Sequence, residues 1–207
     1  MNIGVLGTGV VGRTIAARLV ELGHSVKIGT RNPQETLDRT GPDRMGQPPF
    51  REWQQQNSTV ELVTFAAAAA FGDLVVNATN GSASLSVLEA AEQANLNGKI
   101  LVDISNPLDF SKGIPPTLFV SNTDSLGEQI QRALPGAKVV KTLNTVTANL
   151  MIYPDQVGCG DHTVFVSGND ANAKSAVCYL LRSFGWRDIV DLGDITTSRG
   201  TKMYLPL

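Results

Sequence analysis

Residues 3–12 read Ile3-Gly4-Val5-Leu6-Gly7-Thr8-Gly9-Val10-Val11-Gly12, and the fold follows from how this stretch is interpreted. Ile3 to Leu6 form a short apolar run suited to a buried parallel strand. Beyond Gly12, the residues Ile15, Ala16, Leu19, Val20 and Leu22 recur at helical spacing until Gly23 stops the helix. Strand, glycine turn and helix in that order raise a weak G-x-G-x-x-G match to a dinucleotide fingerprint. Gly7 permits the tight turn, Gly9 lets backbone approach a pyrophosphate, and Gly12 lets the helix pack close to the strand. The helix N-terminus, with Val10 and Val11 in its first turn, presents free N–H groups to the phosphates.

The next strand, His24–Gly29, ends in Thr30-Arg31-Asn32-Pro33. A site for the 2′-hydroxyl of NAD places a carboxylate at this position. Here the first acidic residue is Glu35, beyond the proline, and Thr30, Arg31 and Asn32 stand in its place. A guanidinium flanked by two hydrogen-bonding side chains accepts a 2′-phosphate that a carboxylate would repel. NADP(H) is therefore expected in preference to NAD(H).

The chain has 207 residues, 42% hydrophobic and 17% charged, with 17 basic and 19 acidic side chains for a net charge of −2. That balance argues against nucleic acid or an anionic membrane as the main partner. The two cysteines, Cys159 and Cys178, lack C-x-x-C spacing, so a reduced, cytoplasmic setting is expected. The N-terminus enters a strand at once, with no signal-peptide pattern, and the longest apolar run, 65–71, is too short to span a bilayer.

After a polar stretch at 33–58, read as a surface insertion anchored by Phe50 and Trp53, strands and helices alternate regularly. Strands are expected at 60–64, 73–79, 99–104 and 137–143, with helices at 65–71, 85–95 and 125–134 between them. Such alternation predicts an α/β fold: a doubly wound, Rossmann-type parallel sheet with helices on both faces. Residues 1–150 are expected to form this nucleotide-binding domain. Residues 151–207 are read as a small C-terminal α+β extension that completes the crevice, and their apolar end, Tyr204-Leu205-Pro206-Leu207, suggests docking or a longer natural chain. Ligands of these sheets bind outside the strand C-termini. The polar strand ends Asn77-Ala78-Thr79, Ser105-Asn106-Pro107 and Asn144-Thr145 are therefore expected to line one crevice with the glycine loop.

No hydrolase constellation appears, and His24 and His162 are the only histidines. Cys159, Asp161 and His162 share a loop but lack metal-ligand spacing, so no metal site is expected. Hydride transfer between two planar rings needs positioning more than an acid or base, which suits a crevice without histidine. Two alternatives stand beside it. One is a dehydrogenase of a small hydroxyacid or imine using Lys141 and Asn144 as polar handles. The other is a binding module that senses NADP(H) without turning it over.

Gly7–Gly12, Gly29-Thr30-Arg31-Asn32, Ser105-Asn106-Pro107-Leu108 and Val139–Thr145 together resemble the NADP reductases that depend on the deazaflavin coenzyme F420. The resemblance spans most of the chain, up to the turns at 168–170 and 191–194. It implies a Rossmann domain with a small C-terminal domain, commonly a homodimer. It also implies NADP(H) held by residues 8–11 and 30–32, with the nicotinamide near Asn77-Ala78-Thr79 and Asn106-Pro107. Hydride then passes directly to a stacked deazaflavin or flavin-like partner. The 33–58 insertion is longer than the family pattern, and 77–81 reads Asn-Ala-Thr-Asn-Gly where that pattern is less polar.

Overall fold

Strand β1 (Asn2–Leu6) is buried from Ile3 onward and pairs in parallel on both sides, as the central strand of a sheet does. The structure is a computed structural model that describes residues 1–43 and 46–205. After β1 come α1 (Val10–Glu21), β2 (Ser25–Thr30), α2 (Pro33–Asp38), α3 (Phe50–Gln56), β3 (Glu61–Thr64), α4 (Phe65–Phe71) and β4 (Leu74–Asn77). Next are α5 (Gly81–Ala90), α6 (Gln93–Leu96), β5 (Ile100–Asp103) and a hairpin of β6 (Leu108–Asp109) with β7 (Thr117–Leu118). The chain continues through α7 (Leu126–Ala133), β8 (Lys138–Thr142), α8 (Ala148–Ile152), β9 (Thr163–Gly168), α9 (Ala171–Phe184), β10 (Asp188–Asp191) and α10 (Ser198–Met203).

Eight strands make one sheet in the order β10-β9-β8-β5-β4-β1-β2-β3. Every neighbouring pair is parallel except β8 with β9. This is the α/β, Rossmann-type arrangement that the alternation predicts. The α+β segment after residue 150 shares the main sheet, because β9 pairs antiparallel with β8 and α9 then carries the chain to a parallel β10.

Successive residues along the central strands feed two separate cores, as the two-residue period of a strand requires. Val5, Val76, Val102 and Val140 pack with α1, α8 and α9 on one face. Leu6, Val75, Leu101 and Val139 pack with α4, α5 and α7 on the other. Burial on both faces explains why these strands read as continuous apolar runs. The edge strands β3 and β10 are largely exposed or half-buried instead.

Several boundaries differ from the sequence expectation for local reasons. The 85–95 helix begins earlier, at Gly81, because the Asn80 side chain accepts from the Ser82 N–H at 3.0 Å and caps it. It breaks at Glu92, whose φ of 66° is left-handed, and α6 restarts beyond. The insertion contains two short helices, α2 and α3, at the two stretches, 34–39 and 50–56, that its sequence allows as helical. Phe50 is only 2% exposed and stacks with Trp53 at 5.2 Å, so both aromatics anchor it to the core as expected.

The last helix docks through a polar seam. Arg199 donates from Nε and Nη2 to the two oxygens of Glu128 at 2.8 and 2.5 Å, and the Ser125 and Ser198 hydroxyls meet at 2.8 Å. The Arg199 hydrogen bonds hold the Glu128 carboxyl below its usual range. A depressed carboxyl stabilises the fold above its unfolded pKa, and that stability is lost as the pH falls through the lowered folded value. The melting temperature is therefore expected to drop more between about pH 5 and about pH 3 in the wild type than in Arg199→Ala, followed by circular dichroism. Met203 and Tyr204 are exposed, while Pro206 and Leu207 lie outside the described residues. Among the described residues no helix is long and apolar enough to cross a membrane.

Candidate functional site

The glycine loop joins β1 to α1 at the C-terminal edge of the sheet. Gly7 adopts φ +114°, and a side chain there would strike the Ala78 carbonyl oxygen at 2.7 Å. At Gly12 a Cβ would lie 1.9 Å from the Gly7 carbonyl oxygen, so helix and loop touch backbone to backbone. Gly9 is different: beyond its two chain neighbours, a Cβ there would meet no atom of the described residues within 4 Å. The protein leaves that space open directly before α1, whose Val10, Val11 and Gly12 N–H groups have no acceptor within the helix. Open room beside unpaired donors is the arrangement that a pyrophosphate needs, and the loop fits a dinucleotide.

Thr8 and Gly9 open onto a cavity of about 630 Å³. Val10 and Val11 line a second cavity of about 290 Å³, together with Ala78, Thr79, Asn106 and Met151. Val10, Val11, Ala78, Thr79, Ser105 and Asn106, six of the residues expected along the crevice, thus meet there. A third hollow, about 470 Å³, adjoins the crevice and shares Asn80, Gly81, Leu108 and Phe110 with it. Asn80 borders all three.

Other expected residues fall behind these walls. Asn77 is fully buried and donates from Nδ2 to Asp103 at 2.9 Å and Ser84 at 3.2 Å, while its Oδ1 accepts from the Thr79 hydroxyl at 2.6 Å. Asn144 is 3% exposed, and its carbonyl accepts from Asn106 Nδ2 at 3.0 Å. Asn106 Oδ1 is then left buried without a hydrogen-bond partner among the described residues. Pro107 is buried, and its carbonyl accepts from the Phe119 N–H at 3.1 Å, tying down the β6–β7 hairpin.

At the end of β2, Thr30 is buried with its hydroxyl 2.9 Å from that of Thr36. Asn32 caps α2, its Oδ1 accepting from the Glu35 N–H at 3.2 Å. Arg31 is exposed and makes no hydrogen bond or ion pair among the described residues. Of the three, only Arg31 keeps its side chain wholly uncommitted.

Beneath the crevice lies a buried ion pair that sequence reasoning did not assemble. Strand register sets Asn77 beside Asp103 and Asp103 beside Lys141. Lys141 Nζ reaches Asp103 Oδ2 at 2.9 Å with the two side chains 3% and 0% exposed, and it also donates to the Ser105 carbonyl. Asp103 Oδ1 accepts from the Ser105 hydroxyl at 2.7 Å as well. The Lys141 head group is thereby committed to Asp103 and the Ser105 carbonyl. In the same region Lys202 is buried and donates to the Asp124 carbonyl, and burial pushes its pKa down to about 8.

Among the described residues no three His, Cys, Asp or Glu side chains are grouped to hold a metal ion. His162 instead donates from Nε2 to the Pro154 carbonyl at 2.7 Å and packs edge-on against Trp186 at 4.8 Å.

Fold, open glycine loop and crevice define a nucleotide-binding domain of the Rossmann class. A family model described as NADP oxidoreductase, coenzyme F420-dependent, matches residues 2–107. The chain belongs to that family and is an NADP-dependent oxidoreductase. It is similar to a crystal structure of a candidate F420-dependent NADP reductase from Arthrobacter sp. FB24, at 60% identity and a TM-score of 0.95, covering 99% of this chain and 90% of that one. The F420-dependent NADP reductase of Methanocaldococcus jannaschii is 28% identical over 100% of this chain and 90% of its own length. Metalloreductase STEAP3 of Rattus norvegicus is 29% identical over 96% of this chain, which spans only 35% of that relative.

Proposed function

We propose that the protein passes hydride between NADP(H) and a flat, flavin-like or deazaflavin acceptor lying against the β6–β7 hairpin. One observation supports this above others: the crevice beside the glycine loop runs into the hollow lined by Leu85, Phe110 and Phe119. These three side chains are 40%, 53% and 44% exposed, an apolar and aromatic surface that a stacked ring would cover. Bound NADPH supplies the hydride; the residues here hold and orient. Val10, Val11 and Met151 provide apolar walls. Thr79, its hydroxyl committed to Asn77, is held rigid, and the unpaired Asn106 Oδ1 suits a carboxamide N–H.

At the other end of the cofactor Arg31 is the expected partner of the 2′-phosphate. Arg31→Ala should weaken NADPH and leave NADH unchanged. A small hydroxyacid or imine gripped by Lys141 fits less well, because that ammonium is spent on Asp103. The homodimer belongs to the same reading and is measured by sedimentation.

Steady-state NADPH oxidation with F420 and with FMN tests the proposal. Turnover is expected with at least one of them. Phe110→Ala should raise the KM of that acceptor by about tenfold, with the NADPH KM within about twofold of wild type. Tight NADPH binding without turnover of either acceptor would overturn the proposal and favour a nucleotide-sensing module.

A further inference from the structure

The cavity of about 630 Å³ lies between Thr8-Gly9 and the insertion after α2, with Arg39, Asp43 and Pro48 in its far wall. The Arg13 side chain fastens that wall to the glycine loop. Arg13 is 8% exposed and donates from Nε to the Thr8 carbonyl at 2.7 Å and from Nη1 to the Pro48 carbonyl at 2.6 Å. Its guanidinium also sits 5.3 Å from the centre of the Phe50 ring. Thr8 belongs to the loop, and Pro48 and Phe50 belong to the insertion. The insertion is thus a built side of the cavity.

The charges in this cavity are unequally committed. Arg13 is engaged by two carbonyls, and Asp43 lies in its field while accepting from the Gln47 N–H at 2.9 Å. Arg39 is exposed to the cavity and makes no hydrogen bond or ion pair among the described residues. Its neighbour Asp38 is occupied by Gln34 at 3.0 Å and Arg51 at 3.5 Å. A cavity that begins at the pyrophosphate loop and carries an uncommitted guanidinium suits a second phosphate.

We propose that Arg39 is a specificity residue that holds the 2′-phosphate of NADP(H) from the insertion side, together with Arg31 at the end of β2. This rests on the NADP reading above. A phosphate monoester carries close to two negative charges and three acceptor oxygens, enough for two guanidinium groups. A free 2′-hydroxyl offers no such charge, so Arg39 contributes to discrimination more than to general nucleotide binding.

Calorimetric titration with 2′,5′-ADP and with ADP isolates the adenosine half from hydride chemistry. The wild type is expected to prefer 2′,5′-ADP. Arg39→Ala, at an exposed position, should weaken 2′,5′-ADP by about tenfold and leave ADP within about twofold, with Arg39→Lys between. If the wild type binds the two fragments equally or binds neither, the NADP reading itself fails. If the wild type prefers 2′,5′-ADP and Arg39→Ala keeps that preference in full, only the role of Arg39 is overturned.

Discussion

Replacing Lys141 by methionine is expected to destabilise the protein by about 3–5 kcal/mol, the cost of leaving a buried charge without its partner. The side chain fits the space, so the effect is electrostatic. Asp103, fully buried, would keep its Asn77 and Ser105 hydrogen bonds but lose the only cation bonded to it among the described residues. Urea denaturation followed by tryptophan fluorescence measures it, with Trp186 buried against the Met151 carbonyl as a reporter. Pairing Lys141→Met with Asp103→Leu should restore part of the loss, because an apolar pair carries no unpaired charge. The recovery stays incomplete, since the Asn77 and Ser105 donors then lose their acceptor. A single-variant loss under about 1 kcal/mol would show that the pair does not hold the strand ends together.

The second large effect separates two glycines that look equivalent in the motif. Gly12→Ala should cost about 3 kcal/mol or more, because its Cβ would lie 1.9 Å from a backbone oxygen that cannot move aside without reshaping the loop. Gly9→Ala should change stability by only about 0.5 kcal/mol, since its φ of −73° suits alanine and no protein atom is near the new methyl group. Its effect falls on binding instead, with NADPH at least about tenfold weaker as the methyl occupies the pyrophosphate's approach. Thermal denaturation and NADPH titration of both variants check this. Equal stability losses at the two positions would remove the distinction between a packing glycine and a ligand glycine.

These two effects mark the limit of what was legible in the sequence. The glycine turn, the helix it opens and the alternation of strands depend on neighbours within a few residues, so they could be read directly. The turn and cap at Asn80 and the anchors Phe50 and Trp53 belong to the same local chemistry, whereas Asn32, read as a phosphate partner, also caps α2. The polar strand ends were legible as positions but not as orientations. Asn77 and Asn144 stand at strand ends as expected, yet their side chains lie under the crevice, while Thr79 and Asn106 reach it. Long-range partners decide this, because Asn77 is held by Asp103 from the next strand and Asn144 by the Thr201 carbonyl of the last helix.

The insertion's helices and aromatic anchors were legible, but its place beside the glycine loop was not. It has no period, and its part in the cavity wall comes from Arg13 reaching Pro48 across 35 residues. Phe110 and Phe119 become neighbours of the crevice only when the β6–β7 hairpin folds back onto the Pro107 carbonyl. By itself, then, the sequence determined the fold class and a loop able to take a dinucleotide, because both follow from local spacing and backbone sterics. Tertiary structure alone decided which polar groups line the crevice and which pair beneath it, and that Arg39 faces the cavity. Those outcomes depend on register and long-range contacts, to which local spacing is blind.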